Sequence, residues 1–251
     1  MKNRLEYKYL APLKDIDRLR TLLLNYLEHD DYAAVRPNKA YKVRSIYLDS
    51  YDYKCYYEKL DGIHSRKKFR IRSYNKPANG SQAYFEIKRK YDNFIRKDRV
   101  RVPLPDIQRA LTRSHSGLRF DDEDEKFFNN FYFYYQLRRL EPKVLVVYDR
   151  EPFQCKFGSK LRITIDTGLR SKVVSDYDTL FDDEDLVRSF RKEFIFEVKF
   201  FQVLPQWINK VLEKFNLTRI AVSKYTSAID AQRISSVTMN TLTRNDSYRI
   251  I

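Results

Sequence analysis

An α+β fold, built on one large antiparallel sheet with helices against its apolar face, follows from three features of this sequence. The first is alternation. In Lys68-Phe69-Arg70-Ile71-Arg72 the charged side chains fall on one face of a strand and the apolar ones on the other. The second is repetition, because seven stretches of the chain share that pattern. The third is spacing: the stretches follow at short intervals, separated in places by turn signals such as Asp61-Gly62 and Asn79-Gly80, as in an antiparallel meander.

The elements follow in order. Arg4, Glu6 and Lys8 oppose Leu5, Tyr7 and Tyr9 in a first strand. Ala11-Pro12 ends it, since proline removes a backbone donor and fixes its own φ. Ile16, Leu19, Leu22, Leu23, Tyr26 and Leu27 recur at three- and four-residue spacings, which predicts an amphipathic helix. Strands are then predicted over 41–48, 54–60, 66–75, 82–90 and 94–102. In them Lys42 and Arg44 oppose Val43 and Tyr47, Glu86, Lys88 and Lys90 oppose Phe85 and Ile87, and Lys97, Arg99 and Arg101 oppose Val100 and Val102. Pro103 and Pro105 end the run. Segments near 106–113 and 122–140 read as helices, the second rich in Phe and Tyr and preceded by acids that suit the positive end of a helix dipole. Strands resume at 143–150, 160–166 and 193–200, and helices near 205–215 and 223–232 complete one domain over residues 1–232. Residues 233–251 read as a polar tail without periodicity.

Lys and Arg outnumber Asp and Glu on the charged face by fifteen to five, the acids being Glu6, Glu86, Asp166, Glu193 and Glu197. A solvated sheet face ordinarily mixes signs with Ser and Thr, and like charges on neighbouring strands cost stability. Two architectures accommodate the pattern. The sheet stays open with a basic face, or about eight strands close into a barrel whose apolar side faces outward under the helices and whose charged side lines the interior. Patterning alone leaves both open. Either arrangement calls for a polyanion.

Composition narrows the classes. With 251 residues and 43% hydrophobic content the chain folds, and its net charge of +15 draws it to phosphate-rich ligands. Cys55 and Cys155 resemble neither a disulfide framework nor a metal knuckle, so a reducing, cytoplasmic setting is expected. The N-terminus has no apolar signal-peptide core, and no run of about 18 apolar residues predicts a membrane span. His29, His64 and His115 lack metal-ligand spacing and read as surface residues. Five glycines build neither a Walker loop nor a dinucleotide fingerprint, so phosphates must be held by side chains. No Ser, Cys or His triad is apparent.

A set of short motifs carries a resemblance. Glu6-Tyr7-Lys8-Tyr9, Arg44-Ser45-Ile46-Tyr47-Leu48-Asp49, Tyr57-Glu58-Lys59-Leu60-Asp61-Gly62, Arg70-Ile71-Arg72, Phe85-Glu86-Ile87-Lys88 and Lys97-Asp98-Arg99 come first. Tyr148-Asp149-Arg150, Arg162-Ile163-Thr164-Ile165-Asp166, Phe196-Glu197-Val198-Lys199 and Ser223-Lys224-Tyr225 follow in order. Together, over roughly residues 4–232, they resemble the vacuolar transporter chaperone (VTC) domain, the polyphosphate polymerase branch of the triphosphate tunnel metalloenzymes. The resemblance implies a closed antiparallel β-barrel with a charged lumen and helices outside. It also implies transfer of the terminal phosphoryl of ATP to a growing polyphosphate chain with release of ADP. Carried to matching positions, it gives phosphate-gripping roles to Lys8, Arg44, Arg70, Arg72, Lys88, Arg150, Arg162 and Lys224, and makes Glu197 the ligand of Mn²⁺ or Mg²⁺. ATP and polyphosphate are the implied partners, and no nucleic acid is expected.

Two departures bear on the branch. Hydrolytic relatives open with Glu-x-Glu-x-Lys, whereas Arg4 stands in place of the first glutamate, which weakens metal-assisted activation of water and leans toward polymerisation. The SPX domain and membrane helices of some relatives are not in the sequence, so coupled export is not expected of this chain alone. A triphosphate hydrolase would use nearly the same tunnel, with more weight on Glu6 and Glu86. A non-catalytic polyphosphate-binding module would turn over no ATP. Nucleic-acid binding ranks below these, because the positive charge lies in register along strands instead of on one recognition helix.

Overall fold

The computed structural model describes residues 4–77, 80–91, 94–112 and 118–233. Asn79, His115 and the expected tail beyond Arg233 lie outside them. Strand β1 (Arg4–Pro12) leads into α1 (Ile16–Leu23), a short β2 (Leu27–His29), α2 (Asp31–Ala34) and β3 (Tyr41–Asp49). After α3 (Lys54–Leu60) come the meander strands β4 (Ser65–Tyr74), β5 (Gln82–Tyr91) and β6 (Phe94–Pro103). Helices α4 (Ile107–Leu111) and α5 (Asp122–Leu137) precede β7 (Glu141–Cys155) and β8 (Arg162–Val173). The chain ends its described part with β9 (Val187–Arg188), β10 (Glu193–Phe201), α6 (Gln206–Lys214) and α7 (Lys224–Ala231).

The pairing is antiparallel throughout, in the order β1-β10-β8-β7-β3-β4-β5-β6, with β2 against β7 and β9 against β8. The sheet curls strongly. Lys88 on β5 reaches Glu6 on β1 at 3.0 Å, although these strands lie near opposite ends of the path. Among the described residues no ladder joins β1 to β6, so the sheet is an open, curled half-barrel.

Alternation decides which residues face outward. Leu19 and Leu23 of α1, with Ile208 and Val211 of α6, bury the outer residues Ile163, Phe194, Phe196 and Val198. On the other half, Phe128 and Phe131 of α5 close over Phe69 and Phe85, and the Phe85 and Phe131 rings stack 5.2 Å apart. Each such side chain contributes about 1.5–3 kcal/mol on burial. The acids that begin α5 serve its cap: the Asp121 carboxylate accepts from the backbone N–H of Glu123 and Asp124, and the following acids lie at the positive dipole end. Helix α7 lies on the concave side. Its Tyr225 stacks on Tyr47, which shares a face with Arg70, and its Ala228 carbonyl accepts from Ser171.

The strand expected over 54–60 is a helix. Asp49 accepts from the backbone N–H of Cys55 at 2.8 Å and Tyr56 at 3.0 Å, and Ser50 Oγ accepts from that of Lys54. These side chains satisfy the free donors of a helical first turn and so select helix over strand. Among the described residues no helix is long and apolar enough to cross a membrane.

Candidate active site

The concave side gathers cations from six strands and one helix around four carboxylates. Ladder register places Arg70 and Arg72 of β4 beside Glu86 and Tyr84 of β5, and beside Tyr47 and Ser45 of β3. Lys8 of β1 faces Glu197 of β10, which in turn faces Thr164 of β8. Arg150 of β7 faces Asp166 of β8. Lys224 enters from the first turn of α7.

Each carboxylate is shared. Glu86, 0% exposed, accepts from Arg70 Nε at 2.6 Å and Lys97 Nζ at 2.7 Å, with Arg72 at 4.0 Å. Asp166 takes both Nε and Nη2 of Arg150, at 2.7 and 2.8 Å, and Lys224 Nζ at 2.7 Å. Glu6 contacts Lys88 at 3.0 Å and Lys8 at 3.2 Å. Glu197 contacts Lys8 at 3.6 Å, Lys224 at 3.9 Å, and also Lys199. The acids thus hold the cations in place without neutralising them.

The pKa shifts follow from this crowding. Burial acts to raise the Glu86 carboxyl, but Arg70, Arg72 and Lys97 outweigh it and hold it well below the usual range. Glu197 behaves likewise: burial is opposed by Lys199, Lys8, Lys224 and Arg150, and the carboxyl stays low. Lys88 is pushed down to about 8, by burial and by Lys8, against the pull of Glu6. Burial would raise the Tyr47 hydroxyl, yet Arg70, Arg72 and Lys224 bring it down to about 8.

Seven of the expected phosphate-gripping residues lie on this concave side: Lys8, Arg70, Arg72, Lys88, Arg150 and Lys224 in the cluster, with Arg162 at its exposed rim, paired to Asp30 at 2.8 Å. Arg44 does not join them. In the ladder Ser45 and Tyr47 stand opposite Arg72 and Arg70, so Arg44 points to the other face. There it is 1% exposed, pairs with Asp183 at 2.6 Å and lies 5.7 Å from the centre of the Phe181 ring. Both faces of β3 are covered, so the Lys42/Arg44 alternation does not mark the side of the charged cluster.

Lys68, Lys97, Lys199 and Ser223 join the site without being among the expected site residues, although the first three continue the alternation beside Arg70, Arg99 and Glu197. Tyr47, expected on the apolar face, lies on the concave one, which only its register opposite Arg70 reveals. His29 is half-buried, not a free surface residue, with its Nε2 at 2.9 Å from Glu151. Arg4 Nε and Thr164 Oγ1, on the same concave face, are buried with no hydrogen-bond partner among the described residues.

Among the described residues no group of three or more His, Cys, Asp or Glu could cage a metal ion. Glu197 offers the hard oxygen donor a divalent cation takes, but Lys8, Lys199 and Lys224 already contact it, so most of such a cation's ligands would come from phosphate and water.

Comparison with known proteins agrees with the fold. A crystal structure of a "putative adenylate cyclase" from Bacillus halodurans superposes with a TM-score of 0.50 at 11% identity, covering 88% of this chain and 94% of that one. A "putative adenylyl cyclase" from Hippeastrum, described as having a dominant triphosphatase activity, gives 0.48 at 12% identity, covering 92% and 97%. No curated protein sequence matches. The VTC domain family model matches residues 3–232, nearly the whole described chain, and the protein belongs to the VTC domain family.

Proposed function

We propose that the protein is a polyphosphate polymerase that transfers the terminal phosphoryl of ATP to the end of a polyphosphate chain and releases ADP. The observation that carries this reading is the sharing of Glu6, Glu86, Asp166 and Glu197 each among two or more cations, in a member of the VTC domain family. Such a face is self-repelling when empty and is stabilised by a chain of phosphates. The buried Arg4 Nε and Thr164 Oγ1, without a partner among the described residues, offer further donors.

Phosphoryl transfer needs positioning and charge stabilisation more than covalent help from the protein. The terminal oxygen of the acceptor chain attacks the γ-phosphorus in line, the bond to the bridging oxygen of ADP breaks, and that oxygen keeps the electron pair. Arg70, Arg72 and Arg150 grip phosphate oxygens in planar, two-pronged fashion, while Lys8, Lys88 and Lys224 act as point charges. Arg162, exposed at the rim, meets the chain as it approaches. Glu197 would hold Mn²⁺ or Mg²⁺, which would supply positive charge against the charge that develops on the phosphates. Closure of the half-barrel into a tunnel around the bound chain belongs to the same reading.

The test is ADP release and chain formation from ATP with Mn²⁺ or Mg²⁺, alongside Arg70→Ala. Losing one transition-state contact of this kind costs about 3–4 kcal/mol, or roughly 10²–10³ in rate. Long phosphate chains that fail to form in the variant are the expected result. Free phosphate without chains would replace the polymerase by a hydrolase, and binding without turnover would leave a binding module.

A further inference from the structure

Lys68 differs from the cations around it. Lys8, Lys88, Arg70, Arg150 and Lys224 each contact a carboxylate, whereas Lys68 has none within ion-pair distance among the described residues. It stands on β4 directly opposite Lys88, two residues before Arg70 and on the same face. Its Nζ lies 2.5 Å from Ser223 Oγ and 5.6 Å from the centre of the Tyr225 ring, both on the first turn of α7 or its cap.

The charged groups that act most strongly on this amine are the cations Lys8, Lys88, Arg66 and Lys59, and the acid beyond them, Glu6, is already engaged by Lys8 and Lys88. Burial first, and then these cations, push it well below the usual lysine range. Half-buried, opposite Lys88 and with no carboxylate at ion-pair distance among the described residues, Lys68 is disfavoured there in its ammonium form. A phosphate chain laid along Lys68, Arg70 and Arg72 brings the negative charge that no described carboxylate provides at Lys68.

We propose that Lys68 contacts the phosphate chain directly and gains a proton as the chain binds, so that the site takes up polyphosphate together with a proton. The inference rests on the polyphosphate reading above and adds a residue and a linkage to it. The proton comes from a buffer acid and adds to the Nζ lone pair, leaving the buffer base. The ammonium then donates to a phosphate oxygen and to Ser223 Oγ, which also accepts from the Thr226 N–H at 3.3 Å as the cap of α7. Affinity therefore falls as pH rises through the interval between the free and the bound pKa of Lys68.

Calorimetric titration of the whole chain with tripolyphosphate, in buffers of different ionisation enthalpy and at several pH values, counts the protons. Lys88, Tyr47 and the phosphate itself also exchange protons, so the decisive quantity is the difference between wild type, Lys68→Arg and Lys68→Met. Arginine stays charged and should keep the affinity while removing most of one proton from the uptake. Methionine should bind about ten- to a hundredfold more weakly and also take up fewer protons. Equal uptake and equal affinity in all three proteins would overturn the role of Lys68 and leave the proposed function standing. Failure of the wild-type protein to bind tripolyphosphate would remove both.

Discussion

Replacing Glu86 by Gln tests whether the concave carboxylates are scaffolds for cations. Glu86 is fully buried and its two oxygens are taken by Arg70 and Lys97, with Arg72 just beyond. Glutamine keeps the shape and one acceptor but removes the charge, leaving three cations in mutual repulsion. Breaking a buried pair costs about 3–5 kcal/mol, and the lower end applies here because Lys97 reaches solvent and can shed its proton. Lys97 is already pushed down to about 8, chiefly by burial against the pull of Glu86, so losing that carboxylate makes deprotonation easier. The variant should therefore lose about 3 kcal/mol in denaturant unfolding at neutral pH. Tripolyphosphate should restore much of this, since a ligand at a hundred times its Kd adds about 2.7 kcal/mol and the charge-rich variant binds it more tightly. The sign with pH is also fixed. The folded Glu86 carboxyl titrates below its unfolded value of about 4.3, so its contribution is complete above that value and fades as pH falls toward the folded one. The gap between wild type and variant should shrink below about pH 4. A gap under about 1 kcal/mol at neutral pH, with identical ligand stabilisation in both proteins, would refute the scaffold argument.

Three further outcomes follow from the geometry. Arg72→Ala and Arg44→Ala should separate, because only Arg72 lies on the concave face. The first should cut phosphoryl transfer by roughly 10²–10³ in a turnover assay, and the second should lower the melting temperature and leave turnover near wild type. Lys88, with its pKa near 8, loses its charge as pH rises, so tripolyphosphate binding should weaken above about pH 8 and the slope should flatten in Lys88→Arg. Asp49→Asn should destabilise the chain by about 3 kcal/mol in denaturant melts. Its carboxylate accepts from the Cys55 and Tyr56 N–H groups and from the Tyr225 hydroxyl at 2.6 Å, tying α3 to α7.

Much of the fold was legible because a period of two is unambiguous where one strand face meets helices and the other meets charge. Residues 66–75, 82–90 and 193–200 read this way, and Arg70, Arg72, Lys88 and Glu197 fell on the correct side. Legibility ended where that asymmetry ended. On β3 both faces are covered, one by α7 through Tyr47 and one by the segment carrying Phe181 and Asp183, so Lys42 and Arg44 carried no directional signal. Residues 54–60 looked like a strand because Tyr56 and Tyr57 favour one, while the deciding hydrogen bonds come from Asp49 and Ser50 upstream. That Lys68 has no carboxylate at ion-pair distance among the described residues is a tertiary fact with no local trace in the sequence.

The most direct test of polymerisation is ³¹P NMR of the products made from ATP by the wild-type chain with Mn²⁺ removed before detection. The reading predicts ADP together with a growing resonance from interior phosphates of a chain, absent in Arg70→Ala. Inorganic phosphate as the sole phosphorus product besides ADP would contradict it.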